Sequence, residues 1–293
     1  MAGGTGRVGA VRPSRSHVAA DKVWRLLVRT VGTCFRNRVT GLAAEAAFFA
    51  LLSLPPLVFA LAGSIGYVSQ QFSATQVSEI RQSIVDLAGR VLTPETVTSI
   101  VEPTLNDVFQ GGRYEVISIG FVLALWSGSR ALNVFVDTIT IMYGLGGRRG
   151  IVRTRVLSFS LYVMGLVTGV ITIPLVLAGP SAVERLTPPR LDFLSSMYWP
   201  IVVVMCVCFL ATLYHVSVPV RTSWRFNIPG AALTMVFWIF GSYLLRWVLT
   251  ATAGSSTSIY GPLAAPIAVL LWLYLLSIAV LIGAALNAAF DQD

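Results

Sequence analysis

Six long apolar stretches dominate this sequence and leave few folds open to it. Each is long enough to cross the ~30 Å hydrocarbon core of a bilayer, which takes about 20 helical residues. Backbone groups in lipid must find hydrogen-bond partners within the protein, so the stretches are predicted to be helices. The sequence therefore predicts an all-α, polytopic integral membrane protein with six transmembrane helices. The stretches lie near residues 42–68, 114–142, 156–180, 194–216, 228–250 and 262–289.

The composition supports a membrane protein over a soluble domain. Only 12% of the residues are charged and 55% are hydrophobic, whereas a soluble domain has roughly 25% charged residues. The net charge of +8 is therefore interpreted as a contact with anionic lipid, not with nucleic acid.

The basic residues predict the orientation of the chain. Fourteen of the 21 lysines and arginines precede the first stretch or follow the second or fourth. Five lie in the other connections, and Arg130 and Arg246 lie within stretches. Basic residues accumulate on the cytoplasmic side of membrane proteins. Both termini are therefore predicted to be cytoplasmic.

Two segments outside the stretches are predicted to have structure. The first carries four basic residues on one helical face and apolar residues around much of the rest, which is typical of an interfacial helix, although the flank of the first span is an equal alternative. The second is a long exterior connection with helical spacing, interpreted as a helical hairpin cap or as a solvated spacer. The predicted regions are a disordered basic tail (1–21), an amphipathic interfacial helix (22–40), the transmembrane domain (41–290) with its exterior hairpin (70–113), and a cytoplasmic tail (291–293).

The second stretch carries the densest set of polar side chains. Trp126, Arg130, Asn133 and Asp137 follow one another at intervals of four, three and four residues, which places them within about 60° around a helix. Glu45 in the first stretch is expected at a similar depth, so Arg130 has two candidate carboxylate partners, Glu45 and Asp137. A charge within a span needs a partner or a wet cavity. The group is either an ion pair that fixes helix packing or a polar path for an anionic group.

The first stretch contains two consecutive prolines near mid-membrane, after a serine. Pro55 and Pro56 lack the N–H that a helix needs, so carbonyl groups one turn back lose their partners. Such carbonyls persist only against protein or water. Together with Ser53, the prolines are interpreted either as part of a substrate path, as in broken transporter helices, or as a packing kink.

Two further polar residues are candidates for a substrate path. Arg246 is predicted near the exterior end of the fifth stretch, where it either snorkels to the headgroups or acts as an outer gate. Asn287 lies near the end of the sixth stretch, where span amides usually hydrogen-bond to a neighbouring helix.

The sequence offers little for catalysis. It contains no phosphate-binding G-x-x-x-x-G-K-[S/T] motif. Its two histidines are isolated, so neither a catalytic residue nor a metal site is predicted. We expect a protein that is not an enzyme and has no cofactor.

Three segments resemble the YihY/virulence factor BrkB family of bacterial inner-membrane proteins, whose older label is ribonuclease BN-like. Residues 43–57 resemble the family's Ala-rich opening span with its Leu-Leu-Ser-Leu-x-Pro motif. Residues 126–133 resemble its Trp-Ser-x-Ser-Arg segment, and residues 260–288 resemble its closing span. Ala285 stands where the family often has glutamate.

The resemblance implies a protein of the bacterial cytoplasmic (inner) membrane that is associated with the cell envelope. We expect movement of an anionic lipid or other amphiphile, with Arg130 meeting the headgroup. The alternatives are a small-solute exporter or channel and a non-catalytic scaffold for envelope assembly. A nuclease is the least favoured. The expected partners are membrane lipids, with anionic lipid at the cytoplasmic face, and a homo-oligomer remains open.

Overall fold

The computed structural model contains seven long helices and one short 3-10 helix in its described parts. It describes residues 15–68, 114–178, 192–220, 223–253 and 264–291, with short pieces between residues 75 and 106. The helices are α1 (Arg15–Arg36), α2 (Val39–Val68), α3 (Tyr114–Met142), α4 (Ile151–Ala178), α5 (Asp192–Ser217), the 3-10 helix Trp224–Asn227, α6 (Ile228–Ala253) and α7 (Ala264–Asp291).

The predicted all-α membrane fold is confirmed. Helices α2 to α7 each contain a segment that is long and apolar enough to span a membrane, and no strand occurs in the described part of the chain. The third span begins at Ile151, five residues before the predicted start. Most of the hairpin predicted for 70–113, and residues 1–14 of the predicted tail, lie outside the described residues.

The amphipathic segment forms α1, which begins earlier than predicted. Its chain turns at Asn37 and Arg38, where Arg38 has a φ of 50°, and α2 follows at Val39. Helix α1 packs mainly against α7. The face toward the bundle is buried at Leu26, Thr30 and Thr33.

Helix α7 occupies the centre of the bundle, because it packs against α1, α2, α3 and α6. Small side chains on α7 and α2 allow this close approach, since membrane helices associate through van der Waals packing and not through a hydrophobic driving force. Ala285 is fully buried in this core. The fully buried alanines of the two helices are Ala43, Ala46, Ala47, Ala284 and Ala285.

A buried polar cluster joins α5, α6 and α7. The Tyr214 hydroxyl donates to the Val280 carbonyl at 2.9 Å and lies 2.7 Å from the Thr234 hydroxyl. The Thr234 hydroxyl lies within hydrogen-bonding distance of the carbonyls of Gly230 (2.9 Å) and Ala279 (3.2 Å). Because these hydroxyl and carbonyl groups hydrogen-bond to one another, they fix the register of the three helices without the free-energy cost of an unpaired buried polar group.

Arg149 caps the end of α5 from the turn between α3 and α4. Its guanidinium donates to the carbonyls of Val216 at 2.7 Å, Ser217 at 3.2 Å and Val218 at 3.4 Å. The last carbonyls of a helix have no partner within the helix, and a cation there also complements the helix dipole. Burial lowers the pKa of Arg149 from its ordinary value, yet an arginine keeps its charge at neutral pH.

We expect Arg149→Ala to lower the free energy of unfolding by about 2 kcal/mol, because hydrogen bonds from a charged group are lost and carbonyls lose their partner. Arg148→Ala is the matched control, since Arg148 is an exposed arginine at the adjacent position, and its effect should stay below about 0.5 kcal/mol. Thermal unfolding of the two variants in detergent measures the difference. Equal midpoints for the two variants would show that the cap contributes nothing.

Candidate functional site

The predicted polar stripe lies on the outward face of α3. Trp126 is 66% exposed, and the side chain of Arg130 is 45% exposed. Asp137 is also exposed and Asn133 is half-buried. Helices α2 and α4 both pack against α3, and side chains from each contact the stripe. We call this face, Trp126 to Asp137 with its contacts from α2 and α4, the α3 groove.

Arg130 is held loosely from the α2 side of the groove. Its Nη2 lies 3.9 Å from Oε1 of Glu45, whose side chain is 41% exposed. Its guanidinium carbon lies 5.5 Å from the centre of the Phe49 ring, within the range of a cation–π interaction. At 3.9 Å the pair is an ion pair without a short hydrogen bond. The guanidinium therefore keeps donors for another group.

Asp137 is bound to its neighbour on the same helix instead of to Arg130. The Asn133 amide donates to Oδ2 of Asp137 at 2.7 Å. The other end of the same amide accepts a long hydrogen bond, 3.4 Å, from the Ser158 hydroxyl of α4. Of the two predicted partners of Arg130, the structure therefore brings Glu45 to it and assigns Asp137 to Asn133.

A cavity of about 360 Å³ opens on the outer surface between α3 and α4. Its walls are almost wholly apolar. Its charged group is the guanidinium of Arg155, one of the basic residues predicted to lie in the connection after the second stretch. The cavity is lined by Val122, Leu125 and Trp126 of α3 and by Arg155, Val156 and Phe159 of α4, among others.

The Arg155 guanidinium rests on the Trp126 ring, 4.4 Å from its centre. Both terminal nitrogens are buried, and neither has a hydrogen-bond partner among the described residues. A cation–π contact contributes about 2 kcal/mol when desolvated, but it satisfies none of the terminal N–H donors.

Arg155 was not predicted as a site residue because the predicted span began one residue after it. The signal was its spacing of three and seven residues from Ser158 and Tyr162, two other polar side chains on the face toward α3.

A second cavity, of about 200 Å³, lies where the groove reaches the turn between α3 and α4. Asp137 and Thr140 line it from α3, and Arg149 and Thr154 from the turn and α4. Polar groups therefore continue from this end of the bundle along α3 to the apolar cavity at Trp126.

The double proline leaves α2 continuous. The helix runs from Val39 to Val68 with Pro55 and Pro56 inside it, so there is no unwound segment at this position. Ser53 is buried, and its hydroxyl donates to the Ala50 carbonyl at 2.7 Å. Neighbouring helices and hydroxyl groups allow a membrane helix to tolerate proline in this way.

Asn287 and Arg246 lie apart from the groove. Asn287 is fully buried: its amide oxygen accepts from the Gly230 N–H at 2.8 Å, and its amide nitrogen donates to the Asn227 carbonyl at 3.2 Å. It therefore makes the contact with a neighbouring helix that is usual for a span amide. Arg246 is exposed on α6, a helix that packs against α5 and α7.

Comparison with known proteins finds a matching family and a curated relative. Residues 31–293 match the family described as Virulence factor BrkB. The chain belongs to the BrkB family. A curated relative, the ribonuclease-like protein YfkH of Bacillus subtilis (strain 168), is 26% identical over 259 residues, which is 85% of this chain and 89% of the relative. No solved structure matches the chain.

Membership of the BrkB family confirms the resemblance seen in the sequence, and with the six spans it makes the chain a multi-pass membrane protein. The family description assigns no role to individual residues. The roles of Glu45, Arg130, Asn133, Asp137 and Arg155 are therefore argued from their geometry.

Proposed function

We propose that this BrkB-family protein moves an anionic lipid or other anionic amphiphile along the α3 groove. One observation carries the proposal: the charged stripe of α3 is half-exposed on the outside of the bundle instead of being enclosed by helices. A charge facing hydrocarbon is costly. Its persistence at Arg130 is therefore best explained by a polar headgroup that replaces the missing hydrogen-bond partners.

The surroundings of the stripe suit a molecule with a polar head and apolar chains. Exposed apolar side chains flank it on both sides, Phe48 and Leu52 on α2 and Val156 and Phe159 on α4. The headgroup would follow the polar stripe while the chains stay in the bilayer. A small-solute channel needs a closed aqueous path, which an outward-facing stripe does not favour.

The proposed site of action is the bacterial cytoplasmic membrane, with both termini in the cytoplasm. Fourteen of the 21 basic residues support this orientation. In α1 the apolar side chains that point away from the bundle lie beside a basic face, which suits an interfacial helix on an anionic leaflet. The exposed apolar side chains of α1 are Trp24, Leu27, Val28, Val31 and Phe35.

We also propose that the protein is not an enzyme. The name of the Bacillus relative points to ribonuclease activity. However, the described residues contain no group of three or more His, Cys, Asp or Glu side chains that could hold a metal ion. Arg130 and Arg155 also lie within candidate membrane spans, where RNA does not reach.

Lipid movement in proteoliposomes tests the proposal. Purified protein is reconstituted with fluorescent head-labelled phospholipid, either anionic phosphatidylglycerol or zwitterionic phosphatidylcholine, and dithionite then quenches the accessible label. We expect quenching of the anionic label to pass the half that the outer leaflet contributes, and to do so faster than for the zwitterionic label. Quenching of both labels identical to that of protein-free liposomes would contradict the proposal.

A further inference from the structure

The cavity at Arg155 has the composition of a headgroup site. Its walls are apolar and open on the outer surface of the bundle. Its charge is one guanidinium whose terminal nitrogens are buried without hydrogen-bond partners among the described residues. An arginine that only stabilised the fold would be expected to donate these hydrogen bonds to carbonyl groups. Arg149 does so at the end of α5. The unpaired terminal N–H groups of Arg155 therefore indicate a ligand.

The geometry of the guanidinium specifies the chemistry of that ligand. Arginine presents parallel N–H groups that match the oxygens of a phosphate or carboxylate. The ring of Trp126 covers one face at 4.4 Å, and the terminal N–H groups beside it are buried and unpaired. The apolar walls formed by Val122, Val156 and Phe159 suit acyl chains and not a hydrated small anion.

We propose that the cavity between α3 and α4 is a binding site for the anionic, phosphate-bearing headgroup of a membrane lipid, with Arg155 as its anchor. The site rests on the proposed function and deepens it, because it places a resting position for the lipid beside the α3 groove. Arg130 is held by Glu45 at 3.9 Å and serves passage along the groove, whereas Arg155 holds the lipid at equilibrium.

Lipid binding in detergent tests this assignment without any transport step. Native mass spectrometry measures the first dissociation constant for phosphatidylglycerol and for phosphatidylcholine with identical chains. We expect phosphatidylglycerol to bind about tenfold more tightly, since the choline cation of phosphatidylcholine offsets the negative charge of its phosphate near the guanidinium. Arg155→Gln should lose this preference. Arg153→Gln is the matched control, because Arg153 is an exposed arginine on the same helix, and its binding should stay within about twofold of the unchanged protein.

Phosphatidylglycerol binding that is unchanged in Arg155→Gln would overturn the assignment. If that variant does not fold, Arg155→Lys carries the test: its ammonium keeps the charge but lacks the planar fork, so binding should fall by about threefold, and unchanged binding would overturn the proposal. Inorganic phosphate is added as a water-soluble competitor. Displacement of the lipid would show that the site binds a soluble anion and not a lipid headgroup. If the unchanged protein moves lipid but shows no preference for phosphatidylglycerol, the headgroup site alone is overturned, whereas preferential binding without lipid movement would overturn only the proposed transport.

Discussion

Arg130→Ala is expected to slow the movement of anionic phospholipid at least tenfold. The guanidinium lies in the α3 groove with about half of its side chain exposed and with a loose partner in Glu45. A hydrogen bond to a charged group contributes about 1.5–3 kcal/mol, and 1.4 kcal/mol lost from the transition state is a factor of about ten in rate. The rate for zwitterionic lipid should fall less, because its headgroup has no net negative charge.

The initial rate of dithionite quenching measures this effect, with the folded content of each variant matched by circular dichroism. Arg130→Lys keeps a point charge without the planar fork and should give an intermediate rate. Arg153→Ala removes an exposed arginine outside the groove and should leave the rate unchanged. Equal rates for Arg130→Ala and the unchanged protein would remove Arg130 from the path.

Gly230→Ala is expected to destabilise the bundle by about 3 kcal/mol, since overpacking of a close-packed core costs about that much. A methyl group on Gly230 would overlap the Gly283 carbonyl of α7 and the amide of Asn287. The Gly283 carbonyl belongs to the backbone, so it cannot relieve the overlap by rotating away as a side chain could. Relieving the overlap would also pull the Gly230 N–H away from its 2.8 Å hydrogen bond to Asn287.

Gly241→Ala provides the control in the same helix pair. A methyl group there would meet Leu275 of α7 at 3.8 Å, an ordinary van der Waals contact. Alanine is also a better helix former than glycine by about 0.5–1 kcal/mol, so this variant should be as stable as the original or slightly more stable. Thermal unfolding in detergent compares the two. A midpoint for Gly230→Ala within a degree of Gly241→Ala would show that α6 and α7 do not approach this closely.

The fold was readable from the sequence because a bilayer permits few solutions. Long apolar stretches must be helices in lipid, and the stripe from Trp126 to Asp137 was predicted correctly to share one face because its spacing matches the helical period. The carboxylate partner of Arg130 could not be predicted from the sequence in the same way. Glu45 and Asp137 were equal candidates for Arg130, and only the packing of α2 on α3 brings Glu45 to it.

Two contacts depend on tertiary structure that spacing does not encode. Arg155 follows a turn rich in glycine and arginine, so the predicted span began after it, whereas α4 begins at Ile151 and carries the arginine into the bundle. The cluster around Tyr214 and Thr234 joins three successive helices through residues up to 66 positions apart. A hydroxyl in an apolar stretch does not reveal which carbonyl it will meet.

Both the proposed transport and the headgroup site require an α3 groove that opens sideways to the bilayer. Photo-crosslinking in native membranes tests it most directly, with a benzophenone side chain in place of Val122, an exposed residue beside the cavity, or of Val136, a fully buried residue on the same helix. We predict phospholipid adducts at position 122 and none at position 136. Adducts at position 122 that join two copies of the chain and contain no lipid would place this face in a subunit interface and contradict a groove that opens to the bilayer.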